Sequence, residues 1–226
     1  MAWTDSVARQ LRLSLRRPPS YDRPFVIGPS NREAQQTLSA WPDWPGGALA
    51  LVGPPGVGKT HLARLWAQAA DAQALSAVGP EVGDEGPVLI EDVDQGFADE
   101  LLFHRINMAQ RPGGGLLLTA RTAPALWTTT LPDLRSRLNA LPVAEVAPPD
   151  DEVLAAVLRA AFERCNIRPP DDVVTYLTRR IERSVPAAWE VITRLDAAAG
   201  ESNRPISRVL ARQVLENDTE NLDLFE

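Results

Sequence analysis

Gly53-Pro54-Pro55-Gly56-Val57-Gly58-Lys59-Thr60 decides how this chain is read. It follows the apolar run Ala48-Leu49-Ala50-Leu51-Val52 and opens a helix-like stretch from Lys59 to Ala70. Strand, glycine loop and helix is the setting a phosphate-binding loop requires. Phosphates need several backbone N–H groups pointing inward, and glycines let the chain approach without a Cβ in the way. The helix N-terminus adds partial positive charge. Lys59 is placed to reach β- and γ-phosphates, and the Thr60 hydroxyl to ligate Mg²⁺. Of the 23 basic residues, Lys59 is the only lysine. A compact ammonium suits this position better than the planar fork of arginine. His61 continues the loop into the helix.

The surrounding chain reads as alternating strands and helices. A helix is predicted from about Asn31 to Ala40, capped by Ser30 or Asn31. Weak strand character spans Ala74 to Val78. Pro87-Val88-Leu89-Ile90 is a buried strand that ends in Glu91-Asp92-Val93-Asp94. Acids at the C-terminal end of such a strand sit where open α/β sheets bind ligands. Glu91 and Asp92 are candidate Mg²⁺ carboxylates, and Asp92 is the candidate for orienting an attacking water. A helix follows from Ala98 to Gln110, then the strand Leu116-Leu117-Leu118-Thr119. A short helix from Leu131 to Asn139 carries Arg135 and Arg137, and a last strand runs from Pro142 to Val146. This alternation implies a parallel sheet with right-handed crossovers.

The character changes at Pro148-Pro149. Four helical stretches follow, with apolar faces Leu154/Val157/Leu158/Ala161/Phe162, Val173/Val174/Leu177/Ile181, Ala188/Ile192/Leu195 and Ile206/Val209/Leu210/Val214. Such spacing means a bundle core. Four units are therefore expected: an N-terminal tail over 1–24, an α/β domain over 25–148, a helical domain over 149–217 and an acidic tail over 218–226.

With 226 residues and 44% hydrophobic composition, the chain can bury one sizeable core and a smaller one. A net charge of −7 argues against a dedicated nucleic-acid-binding surface. No apolar run reaches membrane-spanning length, and no secretory signal is evident at the N-terminus. Cys165 is alone, so an intrachain disulfide or cysteine metal site is excluded. The expected setting is the cytosol.

The phosphate loop, the acidic strand end, the polar end of the next strand and the helical lid together resemble the AAA+ ATPases. Within them the chain is similar to the DnaA family, the bacterial replication initiators and their Hda-type regulators. The likeness runs from about Phe25 to Glu216. Phe25-Val26-Ile27-Gly28-Pro29-Ser30-Asn31-Arg32 resembles the entry motif of that group, which lies beside the adenine and makes Asn31 a nucleotide-site candidate. Gly58-Lys59-Thr60-His61-Leu62 resembles its phosphate loop, a string shared with DnaC-type helicase loaders. Leu131-Pro132-Asp133-Leu134-Arg135-Ser136-Arg137-Leu138 resembles its arginine-finger segment, with Arg137 at the finger. Thr119 is the corresponding sensor candidate. Gln10-Leu11-Arg12-Leu13-Ser14-Leu15 is similar to the short sliding-clamp-binding peptide of Hda-type proteins, with Gln10, Leu11, Leu13 and Leu15 as the contact residues.

The resemblance implies an AAA+ parallel-sheet domain followed by a small all-α lid, with ADP or ATP and Mg²⁺ as ligands. It implies a negative regulator of replication initiation. Such a protein docks on the beta-subunit sliding clamp and drives hydrolysis of DnaA-bound ATP through Arg137, supplied in trans. Its own ATPase is weak or absent. No sequence-specific DNA binding is expected, because no helix-turn-helix segment follows the lid and the stretch from Asp71 to Val88 is too short for the single-strand-binding helices of DnaA. Self-association is compatible with this reading. Two alternatives stand beside it: a self-sufficient ATPase of helicase-loader type, and a nucleotide-gated adaptor without hydrolysis. Glu91 replaces an aspartate of the family. Pro186 falls where the family carries a lid arginine, which points to ADP as the working ligand, with Arg183 one turn earlier as the candidate replacement.

Overall fold

The computed structural model describes residues 25–75, 85–202 and 204–222. The clamp-like peptide at Gln10–Leu15 lies outside them, as does the stretch 76–84. Five strands form one parallel sheet in the order β2-β3-β4-β1-β5. They are β1 (Ala48–Val52), β2 (Gln73–Leu75), β3 (Pro87–Ile90), β4 (Gly115–Ala120) and β5 (Val143–Glu145). In the two central strands, β1 and β4, every residue is buried. That is why both read as continuous apolar runs rather than alternating ones. β1 pairs with β4 from Ala48 opposite Leu116 to Val52 opposite Ala120.

The pleat sends alternate residues to two cores. Ala48, Ala50, Leu116 and Leu118 face α3 (Asp99–Ala109) and α4 (Pro132–Ala140), meeting Leu102, Ile106, Leu134 and Leu138. Leu49, Leu51 and Leu117 face α1 (Arg32–Ser39) and α2 (Lys59–Ala70), meeting Ala34, Leu38, Leu62 and Trp66. Trp41 and Trp44, in the turn before β1, close this second core against Trp66, with Trp44 and Trp66 stacked at 5.2 Å. The Trp41 ring lies 2.1 Å from where a Cβ on Gly115 would stand, so only glycine starts β4 there.

The lid consists of α5 (Asp151–Arg164), α6 (Asp171–Thr178), α7 (Val185–Ser202) and α8 (Arg208–Leu222). Their apolar faces form a third core around Phe162, Leu158, Leu177 and Ile192. Phe162 is among the largest fully buried side chains. Phe162→Ala is expected to lower stability by about 3–5 kcal/mol, read from a denaturant melt. A loss under about 1 kcal/mol would mean that the ring is not part of a packed core.

β2 takes in the start of the expected strand Ala74–Val78, and residues 76–78 lie outside the described residues. Two expected details are corrected. Val209 is 68% exposed, and the buried face of α8 is Leu210, Ala211 and Val214. The helix begins at Arg208, so residue 209 in its first turn falls outside the stripe that a count from Ile206 assigns. α8 also continues through Leu222, so the first part of the expected acidic tail is helical.

Candidate nucleotide site

Residues 53–58 link the end of β1 to the start of α2, with Gly58 as N-cap. Gly53, Gly56 and Gly58 have φ of +150°, +76° and +103°, a backbone that other residues rarely adopt. A Cβ on Gly53 would stand 2.2 Å from the Val146 carbonyl oxygen, and one on Gly58 would stand 3.1 Å from the Phe25 ring. The loop is therefore a cradle that side chains would fill. Phe25 walls one side and meets the His61 ring edge-on at 5.4 Å.

Lys59 is 7% exposed, and its Nζ donates to the carbonyls of Gly53 (2.7 Å) and Pro54 (2.9 Å). Burial pushes the ammonium below its ordinary value, partly offset by the charges of Asp92 and Asp94. Both carboxylates thus act on the lysine across the loop. A buried cation among backbone carbonyls, with acids nearby and helix N–H groups beside it, fits a polyphosphate with its divalent ion. Thr60 sits in the first turn of α2.

Asp92 follows β3 in the left-handed region (φ 51°), and its N–H donates to Thr119 Oγ1 at 2.9 Å. Thr119 is 1% exposed on β4, so its hydroxyl joins the ends of two adjacent strands. Glu91 turns to Arg64 of α2, with Oε2 and Nη2 3.3 Å apart. Among the described residues no cluster of three or more carboxylate, histidine or cysteine side chains forms a ready metal site. Thr60 and Asp92, with Glu91 beside Arg64, are the residues that would hold Mg²⁺ together with a bound phosphate.

Asp94 was not singled out from the sequence. One carboxylate oxygen accepts from the Arg121 N–H (2.8 Å), the Thr122 N–H (3.2 Å) and the Thr122 hydroxyl (3.3 Å). Oδ1 is buried with no partner among the described residues. Asp94 therefore ties the acidic turn after β3 to the loop after β4. The available signal was a third acid in the run 91–94, but which acid turns inward depends on the backbone.

Asn31 is 3% exposed and occupies the N-cap position of α1 without capping it. Its Oδ1 accepts from the Gly28 N–H and its Nδ2 donates to the Val26 carbonyl, both at 2.9 Å. The amide folds the entry segment rather than reaching outward. The Ser30 N–H donates to Asp150 Oδ2 at 2.8 Å, while Asp150 Oδ1 accepts from Val153 as the cap of α5. Burial alone would raise the Asp150 carboxyl, but these N–H donors hold it below its ordinary value. One side chain thus fastens the entry segment to the lid.

The lid also touches the loop directly. The Val185 N–H donates to the Gly56 carbonyl at 2.8 Å, and a Cβ on Gly56 would stand 2.9 Å from Pro186 Cδ. Pro186 therefore packs on the phosphate loop. Arg183, the candidate replacement for a lid arginine, is engaged elsewhere. Its guanidinium donates to the Pro149 carbonyl (3.1 Å) and to Asp151 Oδ1 (2.6 Å), on the α5 side.

Arg137 and Arg135 differ sharply. Arg135 donates to the carbonyls of Ala125 (3.2 Å) and Trp127 (2.5 Å). Arg137 is exposed in the last turn of α4, with no hydrogen-bond or ion-pair partner among the described residues. Asp99 fixes the approach to α4, accepting from the Thr129 hydroxyl (2.7 Å) and the Thr130 N–H (3.1 Å). Those bonds hold its carboxyl below the ordinary value.

The model of the ATPase family associated with various cellular activities (AAA) matches residues 49–106. Over 223 residues it is 26% identical to the chromosomal replication initiator protein DnaA of Thermomicrobium roseum, covering 84% of this chain and 48% of that protein. The DnaA of Chloroflexus aurantiacus is 25% identical over 245 residues, 89% of this chain and 49% of that protein. The chain thus spans about half the length of the curated relatives it matches. Domain III of DnaA from Thermotoga maritima superposes with a TM-score of 0.69 at 18% identity, covering 85% of this chain and 94% of that one. The Thermotoga maritima RuvB Holliday junction branch migration motor gives 0.60 at 21%, covering 75% and 61%. The five-stranded parallel sheet and the helical lid have the AAA+ fold of DnaA domain III, and the chain is similar to DnaA in sequence.

Proposed function

We propose that this AAA+ protein is a regulator of replication initiation. It binds ADP or ATP with Mg²⁺ at residues 53–61, holds the sliding clamp through Gln10, Leu11, Leu13 and Leu15, and presents Arg137 to ATP bound on DnaA. The observation that carries this reading is the division of labour on α4. Arg135 is spent on carbonyls of its own chain, while Arg137 is exposed and unpaired among the described residues. A guanidinium held on a fixed helix and left without a partner is suited to stabilising charge on a phosphoryl group carried by another molecule.

Asp92 and Thr119 close the nucleotide site from the sheet, and Lys59 lines its floor. When bound, the nucleotide supplies the phosphates that these groups hold. Pro186 on the loop, with Arg183 directed away, leaves the phosphate loop as the main source of binding energy and favours ADP nearly as well as ATP. Turnover of labelled ATP on DnaA, measured with and without this protein and DNA-loaded clamp, tests the reading. Stimulation that needs both supports it; no stimulation with both present rejects it.

The clamp contact has its own expected result. Gln10→Ala with Leu11→Ala is expected to weaken clamp binding at least about ten-fold, as loss of anchor residues does, without shifting the melting temperature. A variant that melts early but keeps its clamp affinity would make the segment part of the folded core.

A further inference from the structure

The phosphate loop meets its cations from unequal sides. Lys59 lines its floor, while the lid contributes Pro186 and keeps Arg183 on Pro149 and Asp151. One further cation enters from the sheet. Arg121 follows Ala120, the last residue of β4, and Gly53 follows Val52, which lies opposite Ala120 on β1. Neighbouring strands run about 5 Å apart, so Arg121 leaves the sheet beside the start of the loop. Gly53 is also the residue whose carbonyl accepts from Lys59 Nζ at 2.7 Å. Alternation along β4 puts residue 121 on the face of Leu117 and Thr119, which is the face α2 covers. α2 begins at Lys59.

The backbone of Arg121 is held in place. Its N–H donates to Asp94 Oδ2 at 2.8 Å, and the Thr122 N–H donates to the same oxygen at 3.2 Å. The side chain takes no part in those bonds. Its guanidinium is exposed and has no hydrogen-bond or ion-pair partner among the described residues. Its charge nevertheless acts on Lys59. Burial is the main cause that lowers the ammonium, Asp92 and Asp94 oppose it, and Arg121 adds to it. Two cations and two acids, from α2 and the loops after β3 and β4, therefore share the space beside the phosphate loop. Two cations that repel each other across a space are both stabilised by an anion placed between them. The acids do not suit a bare anion, but they suit one that arrives with a divalent cation.

We propose that Arg121 is a second phosphate-binding cation of this site and sets its balance between ATP and ADP. This rests on the reading that residues 53–61 bind nucleotide. In such sites the N–H groups of the loop hold the phosphates that ADP and ATP share, and the lysine and strand-end acids lie toward the third. Asp92 and Asp94 oppose the charge that a γ-phosphate adds, and no lid arginine offsets them. Arg121 offsets them from the sheet side, and its planar fork is suited to two phosphate oxygens at once. Near-equal affinity for the two nucleotides is then a balance of Arg121 against the two carboxylates. Removing the arginine tips the site toward ADP.

Calorimetric titration of the full chain with Mg²⁺ and either ADP or the non-hydrolysable β,γ-imido analogue of ATP tests this, with no turnover in the readout. Arg121→Ala should weaken the analogue about five- to ten-fold and ADP by less than about two-fold, between the contribution of an exposed ion pair and that of a charged hydrogen bond. Arg121→Glu should weaken the analogue at least about thirty-fold, because it sets like charge beside the phosphate. Arg121→Lys keeps the charge and should recover part of the loss. The melting temperature should not move, because the bonds to Asp94 come from the backbone. Should Arg121→Glu fail to fold, Arg121→Gln is read in its place and should match the alanine variant. Equal losses for both nucleotides, no loss for the analogue, or a folded glutamate variant no weaker than alanine each overturn the proposal. A wild type that binds neither nucleotide rejects the site itself, and this inference with it. A wild type that binds both, with their ratio unchanged in Arg121→Ala, rejects the role of Arg121 alone.

Discussion

Lys59→Ala is expected to lower ATP and ADP affinity by at least about a hundred-fold, measured by calorimetric titration. A charged hydrogen bond contributes about 1.5–3 kcal/mol, and an ammonium serving two phosphates supplies about 3–5 kcal/mol together with its charge. At about 1.4 kcal/mol per factor of ten, that is roughly two to three and a half orders of magnitude. No other lysine can substitute, because the chain has none. The ammonium also joins the carbonyls of Gly53 and Pro54, so its loss slackens the loop as well as removing charge. A thermal melt separates the two effects. The fold rests on cores that Lys59 does not build, so the melting temperature should stay within a few degrees while affinity collapses. Lys59→Arg is informative because it keeps the charge. The planar fork is bulkier and its donors point in fixed in-plane directions, so it cannot reproduce the ammonium's contacts with both loop carbonyls and the phosphates; affinity should fall there too, by less than in the alanine variant. Unchanged affinity in Lys59→Ala would sink the phosphate-loop assignment.

Much of this site was legible because its determinants are local. Strand, glycine loop and helix occupy consecutive residues, and their φ values follow from a short string. The buried strands were legible because β1 and β4 are covered on both faces. What the sequence did not disclose is pairwise and distant. Ser30 and Asp150 are 120 residues apart, and neither carries a mark that names the other. Asn31 looked like a cap or a ligand because its residue type suits both, yet its amide is consumed by Val26 and Gly28. Asp94 was hidden among three acids within four positions. Only the left-handed turn at Asp92 decides that Asp94 faces the loop after β4. Val209 was misplaced for a related reason. Helical phase depends on where α8 starts, and Pro205 with Ser207 moves that start two residues past the apolar Ile206. Arg135 and Arg137 could not be told apart by type or spacing. Their difference is the two carbonyls of the turn Pro124–Trp127, which only the tertiary fold brings under α4.

That difference sets the second large effect. Arg137→Ala is expected to reduce stimulation of DnaA-bound ATP hydrolysis by at least about a hundred-fold, since arginines supplied to a transferring phosphoryl group contribute about 10³ to 10⁵ in rate. Nucleotide affinity, clamp affinity and melting temperature should not change, because the side chain is exposed and bonds to no described residue. Arg137→Lys keeps the charge but loses the fork, and should recover little of the rate, because one ammonium cannot bridge two phosphate oxygens in a fixed plane. Arg135→Ala is the control that separates charge from scaffold. It frees the carbonyls of Ala125 and Trp127 and loosens the turn against α4, so it should lower stability by about 1–3 kcal/mol as well as activity. The two variants therefore predict opposite patterns: activity lost at full stability for Arg137, and both lost together for Arg135. Asp99→Ala, at the start of α3, should follow the Arg135 pattern because it releases Thr129 and Thr130 before α4. The pattern also discriminates among functions. A self-sufficient ATPase would lose its own turnover in Asp92→Ala and show no defect specific to DnaA in Arg137→Ala. An adaptor without catalytic action in trans would leave DnaA-bound ATP untouched by wild type and variant alike. Full stimulation by Arg137→Ala would remove the residue from catalysis, whatever the clamp and nucleotide measurements gave.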